Sequence, residues 1–369
     1  MFFDTEIRGD RLPEGTVCLT YDDGPGATAR DGPGPRTQQL GRYLNDEGIA
    51  ATFFVVGSHA RGQEHVLQQL ASWGHLLGNH TWSHPGLVSV ATSGGDVVGE
   101  LERTDAVLRP LAGEGPIVFR PPFGDWRQGQ AEHLPVRPTS VVADILNRSG
   151  RLHGCVGPVG WDIEAEDFAC WQTGLPPDEV AGRYVAAARR AGRGIVLMHD
   201  SSEDPALRSR NRTYELTRLM VPRLKALGFR FAGLDEVPPV RSAVGVRYQI
   251  ALHPAPGEVL ARPANGNEIT CAADNGDARE AFGVCDRGDG RVALRAGNGC
   301  YLRVTPVGPV RACGHEPGEQ ESLLLQPRDG GFVVRCAGGG VLAWDRDRRQ
   351  LRAAGPECAA TFSVERLFS

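Results

Sequence analysis

The sequence predicts an α/β domain built on parallel strands, in a barrel or open sheet, followed by a second, all-β domain. Two observations predict the first. Short apolar runs alternate with helical patterns as far as Val237, and five of those runs lead directly into clusters of carboxylate, imidazole or guanidinium side chains. Polar residues gathered just past successive strands belong at the strand carboxyl ends, where such folds keep their chemistry. A third observation predicts the second domain. After Asp235-Glu236-Val237-Pro238-Pro239 the helical patterns stop, and Gly-rich turns separate short apolar runs that recur.

The elements follow in order. Val17-Cys18-Leu19 reads as a strand running into Thr20-Tyr21-Asp22-Asp23-Gly24-Pro25, where Gly-Pro turns the chain. Thr37 to Leu44 has a helical pattern. Leu76-Leu77-Gly78 precedes Asn79-His80-Thr81-Trp82-Ser83-His84, and Ile117-Val118-Phe119 precedes Arg120-Pro121-Pro122-Phe123-Gly124. Val159-Gly160-Trp161 precedes Asp162-Ile163-Glu164-Ala165-Glu166-Asp167-Phe168. Helical patterns run from Asp178 to Ala191, stopped by Gly192, and from Thr213 to Leu227, stopped by Gly228. Between them Gly194-Ile195-Val196-Leu197-Met198 precedes His199-Asp200.

Each cluster has its own chemistry. Asp22 and Asp23 are like charges side by side, so one is held by a cation or the two differ in role. Alone, Asp-Asp-Gly-Pro is ordinary turn composition. His80 and His84 are four residues apart, and one helical turn would bring both imidazoles to one face. Two neutral imidazoles and a carboxylate suit zinc or a similar divalent ion, with positions left open for water. His59 and His75 lack such company and read as structural.

The five motifs, in this order, resemble the polysaccharide deacetylase family, also called carbohydrate esterase family 4, from about Val17 to Val237. The resemblance implies a distorted (β/α) barrel and assigns roles. Asp23, His80 and His84 would bind one divalent metal, zinc first, with cobalt, nickel or manganese as alternatives. Asp22 would be the general base and His199 the general acid. Arg120 would pair with Asp22, a task that suits a planar guanidinium, and Asp167 would hold His199 protonated. A backbone N–H near Phe123 would share the oxyanion charge with the ion. Phe168 and Leu197 would line an apolar pocket for the acetyl methyl, although Leu197 also reads as plain strand core.

This chain departs from the family pattern at several positions. Tyr21 replaces a usual phenylalanine and brings a hydroxyl to satisfy. Glu164 stands where aspartate is common, and Phe168 where tryptophan is usual. Asp125-Trp126 follows the third motif, and Trp126 is expected to restore an aromatic face for a sugar ring. The stretch Arg127 to Gly157 is long and broken by Pro135 and Pro138. None of these changes removes a catalytic group; they bear on the substrate.

The 369 residues are enough for two domains, expected as 1–240 and 246–369 with a proline-containing linker between them. A net charge of −5 makes no electrostatic case for nucleic acid or an anionic membrane. Lys225 is the only lysine, which reads as coding bias and not as chemistry. No apolar run approaches the roughly 20 residues of a membrane span. The opening Met1-Phe2-Phe3-Asp4-Thr5-Glu6 has no secretion-signal pattern. Nine cysteines include no C-x-x-C pair, which argues against a structural zinc site. Free thiols and a cytoplasmic setting are expected, or secretion with a signal already removed.

In the second domain Val292-Ala293-Leu294-Arg295-Ala296 up to Tyr301-Leu302 parallels Val333-Val334-Arg335-Cys336-Ala337 up to Val341-Leu342. A weaker copy runs from Ile250 to Leu260. Each copy closes on a similar run, at Phe282-Gly283-Val284, Leu323-Leu324-Leu325 and Phe362-Ser363-Val364. A spacing of roughly 40 residues marks an internal repeat. Three copies of about four strands suggest a β-trefoil, and Gly299-Cys300-Tyr301-Leu302 resembles the fascin-like trefoils. The Gln-x-Trp signature of ricin-type sugar sites is absent. Trp344 is either a partly buried strand residue or a sugar platform, and the domain either a glycan-contacting module or a structural appendage.

The expected function is metal-dependent removal of acetyl from an N-acetylated amino sugar. The alternatives are a small N-acetylated biosynthetic intermediate as substrate or, remotely, a non-catalytic carbohydrate-binding protein. Substrate contact with a sugar or small molecule is expected, and neither nucleic acid nor membrane is.

Overall fold

The computed structural model describes residues 2–26, 32–112, 117–127, 140–149, 151–152, 154–237, 240, 246–262, 266–273, 280, 282–288, 291–298, 300–305, 308–314, 318–328, 331–337 and 339–368. Two compact units are present: Glu6–Trp126 with Cys155–Arg241, and Met1–Thr5 with Arg127–Gly154 and Ser242–Ser369. The expected linker at 238–239 and 241–245, and Pro135 and Pro138, lie outside the described residues.

Strands and helices alternate in the first unit. The order is β1 (Phe2–Ile7, ending in this unit), β2 (Thr16–Gly24), α1 (Thr37–Asp46), β3 (Thr52–Val55), α2 (Gly57–Ala60), α3 (Glu64–Ser72), β4 (Leu76–Asn79), α4 (Leu87–Thr92), α5 (Val97–Ala112) and β5 (Ile117–Val118). After α6 (Val141–Ser149), which belongs to the other unit, come β6 (Cys155–Val159), α7 (Asp167–Thr173), α8 (Pro177–Ala191), β7 (Gly194–His199), α9 (Pro205–Arg210), α10 (Thr213–Ala226) and β8 (Arg230–Phe231). The helices expected from Thr37, Asp178 and Thr213 all form, and Gly192 and Gly228 take positive φ at the ends of α8 and α10.

The parallel strands come close to a ring. β2 pairs with β7 along one edge, and with β8 and then β3 along the other; β3 pairs with β4, and β5 with β6. Asn79 bridges to Phe119, joining β4 to the end of β5, and Ile163, just past β6, bridges to Val196 in β7. Burial follows from this closure. All nine residues of β2 are buried, as are Phe53, Phe54, Val156 and Ile195 in the neighbouring strands. A strand covered on both faces reads as an unbroken apolar run, which is how Val17-Cys18-Leu19 reads. The Tyr21 hydroxyl is satisfied by Thr217 Oγ1 at 3.1 Å, and its ring stacks on Phe53.

The second unit is antiparallel. Among its described residues are twelve strands: β9 (Val246–His253), β10 (Glu258–Ala261), β11 (Thr270–Ala273), β12 (Phe282–Gly288), β13 (Arg291–Arg295), β14 (Tyr301–Arg303), β15 (Arg311–Gly314), β16 (Leu323–Arg328), β17 (Gly331–Cys336), β18 (Val341–Asp345), β19 (Gln350–Ala354) and β20 (Ser363–Phe368). The ladder runs β9–β12–β13–β16–β17, and β20 returns to β9. Phe332 bridges to Phe362 between β17 and the start of β20. Three hairpins, β10–β11, β14–β15 and β18–β19, complete the set. One core holds corresponding residues of the repeats, among them Leu252, Leu294 and Val334, then Leu260, Leu302 and Leu342. None of the nine cysteines is in a disulfide. Among the described residues no helix is long and apolar enough to cross a membrane.

Candidate active site

The five clusters converge at the carboxyl ends of the first unit's strands. Asp22 and Asp23 end β2, and Asp23 sits at a φ of 73°, a left-handed conformation that aspartate tolerates better than most residues. Asp22 therefore stays in the strand pattern while Asp23 is turned out of it. Asp23 Oδ1 lies 3.1 Å from His84 Nε2 and 3.5 Å from His80 Nε2. The three potential ligand atoms lie within 4.8 Å of one another.

His80 and His84 are not on a helix, contrary to the expected helical turn. The segment is a loop, and Thr81 and His84 both take positive φ, at 67° and 57°. An α-helix would bind its own carbonyls. Here the loop is held from outside: Gly57 and Ser58 donate their N–H groups to the carbonyls of Thr81 and Trp82 at 2.9 and 3.0 Å. Glu100 from α5 accepts from the N–H groups of Trp82 and Ser83, at 3.1 and 2.8 Å, and from the Ser83 hydroxyl. His80 Nδ1 donates to the Arg120 carbonyl at 2.8 Å, which leaves the Nε2 lone pair on the side of Asp23, available to a metal ion.

Asp22 faces a different partner. Arg120 is fully buried, and its Nη1 donates to Asp22 Oδ1 at 2.7 Å and to Thr20 Oγ1 at 2.8 Å. Nε donates to the Val159 carbonyl, Nη2 donates to that of Gly160, and the guanidinium lies 4.2 Å over the Phe54 ring. A buried cation with every edge occupied is a fixed charge beside one carboxylate. Burial pulls the Arg120 pKa down, with Asp22 opposing the shift. For Asp23, burial also favours the neutral acid, but the adjacent imidazoles of His80 and His84 prevail and hold the carboxyl well below the usual range.

His199 ends β7, directly opposite Asp22 in register. Its Nδ1 donates to Asp167 Oδ1 at 2.8 Å, and its backbone N–H to Asp167 Oδ2 at 2.8 Å. Asp167 is the first residue of α7 and is buried. Burial alone would lower the imidazole pKa; the Asp167 charge outweighs it and raises the value to about 10. The next residue, Asp200, is buried and accepts from Thr37 Oγ1. Burial pushes its carboxyl up to about 7, the Thr37 bond opposes, and the charges of Asp23 and Asp22 add to the rise.

The four residues expected to touch substrate divide. Phe123 is 73% exposed, at a φ of 60°, with its ring 4.7 Å from that of His84. Phe168 is 46% exposed, with its ring edge-on to His199 at 5.7 Å. Leu197 is buried two residues before His199, on the same side of β7. Trp126 is a correction: only 1% exposed and packed against Phe119, it is core and offers no face to a sugar. The chain folds Trp126 inward while Asp125 accepts from the Val88 N–H in α4.

Sequence reasoning missed Glu100 and misjudged His59. An acid in a helical pattern carries no sign of the loop it holds. His59 has company after all: its Nδ1 donates to the Asp23 carbonyl at 2.8 Å. His75 is structural as expected, bonded to the Gly41 carbonyl, with burial lowering its pKa.

Fit to a metal ion can be judged from the donors themselves. Asp23 Oδ1 is buried with no hydrogen-bond partner, an arrangement that costs free energy unless a cation fills the gap between it and two imidazole nitrogens. The residues fit a divalent ion.

A ring of parallel strands with an Asp–His–His cluster, a carboxylate locked by arginine and an imidazole locked by aspartate defines a metal-dependent hydrolase site. The sequence comparisons agree in class. Residues 9–134 match the model of the polysaccharide deacetylase family. It is similar to the peptidoglycan-N-acetylglucosamine deacetylase of Bacillus cereus, 25% identical over 221 residues, 60% of this chain and 67% of that one. It is 26% identical over 226 residues to the chitooligosaccharide deacetylase of Rhizobium leguminosarum bv. trifolii, 60% of this chain and 90% of that protein. A solved structure, polysaccharide deacetylase Bc1974 from Bacillus cereus, is 21% identical with a TM-score of 0.42, covering 60% of this chain and 92% of the other.

Proposed function

We propose that this protein is a metal-dependent N-deacetylase of N-acetylated amino sugars. One observation carries the reading: Asp23, His80 and His84 converge while Asp22 and His199 flank them, each fixed by a buried partner of opposite charge. The curated relatives named above act on peptidoglycan N-acetylglucosamine and on chitooligosaccharide, which supports the substrate class.

The bound ion, zinc by the nature of its donors, would supply a water of lowered pKa and polarise the acetyl carbonyl. Asp22 then takes the proton of the attacking water, its carboxylate held in place by the Arg120 Nη1 bond to Oδ1. His199 starts protonated because Asp167 favours the cation, and it gives that proton to the leaving amine as the tetrahedral adduct collapses. Phe123 and Phe168 offer exposed rings beside the site for stacking on a sugar. Leu197 and Phe168 line the place of the acetyl methyl, and a backbone N–H near Phe123 meets the oxyanion.

For the second unit we propose a fascin-like β-trefoil. Twelve strands in three groups of four, a six-strand ladder returning to its start and three hairpins support that reading. A glycan contact through this unit belongs to the same proposal. A reducing, cytoplasmic setting is part of the same reading, in keeping with nine cysteines outside any disulfide.

The test is acetate release from N-acetylglucosamine oligomers, peptidoglycan and small N-acetylated sugars, with and without a chelator. Release from oligomers or peptidoglycan that a chelator abolishes supports the reading. Release only from a small N-acetylated metabolite would replace the polymer substrate. No release from any of them would leave a binding protein.

A further inference from the structure

Helix α2 is only four residues long, yet both halves of the metal cluster are anchored on it. Its first two N–H groups hold the carbonyls of the histidine loop, as described above. Its His59 side chain reaches the other half: Nδ1 donates to the Asp23 carbonyl at 2.8 Å, since a carbonyl has no proton to give. Nε2 lies 3.1 Å from Glu203 Oε1, in the segment that follows His199, so the ring is oriented from both sides. Gln63 supports the arrangement by donating to the carbonyls of Pro25 and His59, each at 3.2 Å. The His59 side chain is only 14% exposed. Nothing in the proposed reaction uses it.

Asp23 itself needs support. At a φ of 73° its backbone occupies a left-handed region that disfavours any residue with a Cβ. In an extended conformation its carboxylate would leave His80 and His84 for the opposite face of the strand. We infer that His59 is a positioning residue for the metal ion, holding the Asp23 carbonyl so that the left-handed turn persists and the carboxylate stays aimed at the two histidines. This rests on the metal-site reading above.

Two substitutions separate the two ends of the ring. Asparagine places an amide nitrogen where Nδ1 stands, and glutamine places one nearer to Nε2. Zinc dissociation constants are measured for the full chain by competition with a chromogenic chelator, together with the melting temperature of each metal-free protein. His59→Asn is expected to bind zinc within a few-fold of wild type. His59→Gln and His59→Ala are expected to bind more weakly by on the order of 10–100-fold, with metal-free melting temperatures matching His59→Asn. Zinc binding in His59→Gln equal to wild type, or His59→Asn as weak as His59→Gln, would overturn the inference while leaving the metal site intact. A wild type that binds no zinc would overturn both.

Discussion

Asp22 and Asp23 are adjacent, buried and chemically identical, and backbone conformation and partners divide their roles. Asp22 meets a guanidinium with no free edge; Asp23 meets two imidazoles and has an oxygen with no hydrogen-bond partner. Asp22→Asn should therefore retain its metal and lose turnover by on the order of 10²–10⁴-fold, because an amide cannot accept the water's proton. Near-normal kcat in a folded, metal-loaded variant would contradict the assignment. His199 gives a pH prediction of definite sign. Folding raises its pKa from 6.5 to about 10, so the cation is the folded state's preferred form. The stabilisation it contributes is full below 6.5 and is lost as pH rises through about 10. The activity that depends on its proton should fade on the same basic limb. Asp167→Asn removes the charge responsible, and the basic limb of kcat should move down toward 6.5. At this scale the sequence was informative where residue type dictates chemistry, and mute on exposure. Nothing in Asp125-Trp126 distinguishes an indole facing a sugar from one packed on Phe119.

Elements account for what motifs alone leave open. H-x-x-x-H spacing fits a helical turn, and the spacing was satisfied here by a loop with two left-handed residues. The loop owes its shape to α2 and to Glu100, both distant in sequence, so no local pattern could announce it. Glu100 satisfies two part-buried N–H groups and a hydroxyl at once. Glu100→Ala should cost about 1–3 kcal/mol for the donors left without a partner, measured by chemical denaturation of the metal-free protein, and should weaken metal binding. Unchanged stability together with unchanged affinity would mean that the loop holds itself. Helices α8 and α10, by contrast, were legible from periodicity and from their Gly stops, whereas α5, of 16 residues, was not. α8 and α10 pack together, and each ends within a residue of its expected limit.

At the scale of the whole molecule the change from alternating helix and strand to recurring short strands was visible because the two kinds of core need different periodicities. The sequence does not show that Met1–Thr5 and Arg127–Gly154 group with the later strands, since that depends on contacts far apart along the chain. Two compact units should give two calorimetric transitions. Zinc at 100 times its dissociation constant should raise the one containing Asp23 by about 2.7 kcal/mol and leave the other unmoved. A single transition, or an equal shift of both, would speak against independent cores.

The central claim is that Asp23, His80 and His84 together hold one divalent ion on which the chemistry depends. Its most direct test is elemental analysis of the purified full chain after dialysis against zinc, with Asp22→Asn and His80→Ala in parallel. One ion per chain is expected in the wild type and in Asp22→Asn, and almost none in His80→Ala. Equal metal content in all three, or none in the wild type, would contradict the account.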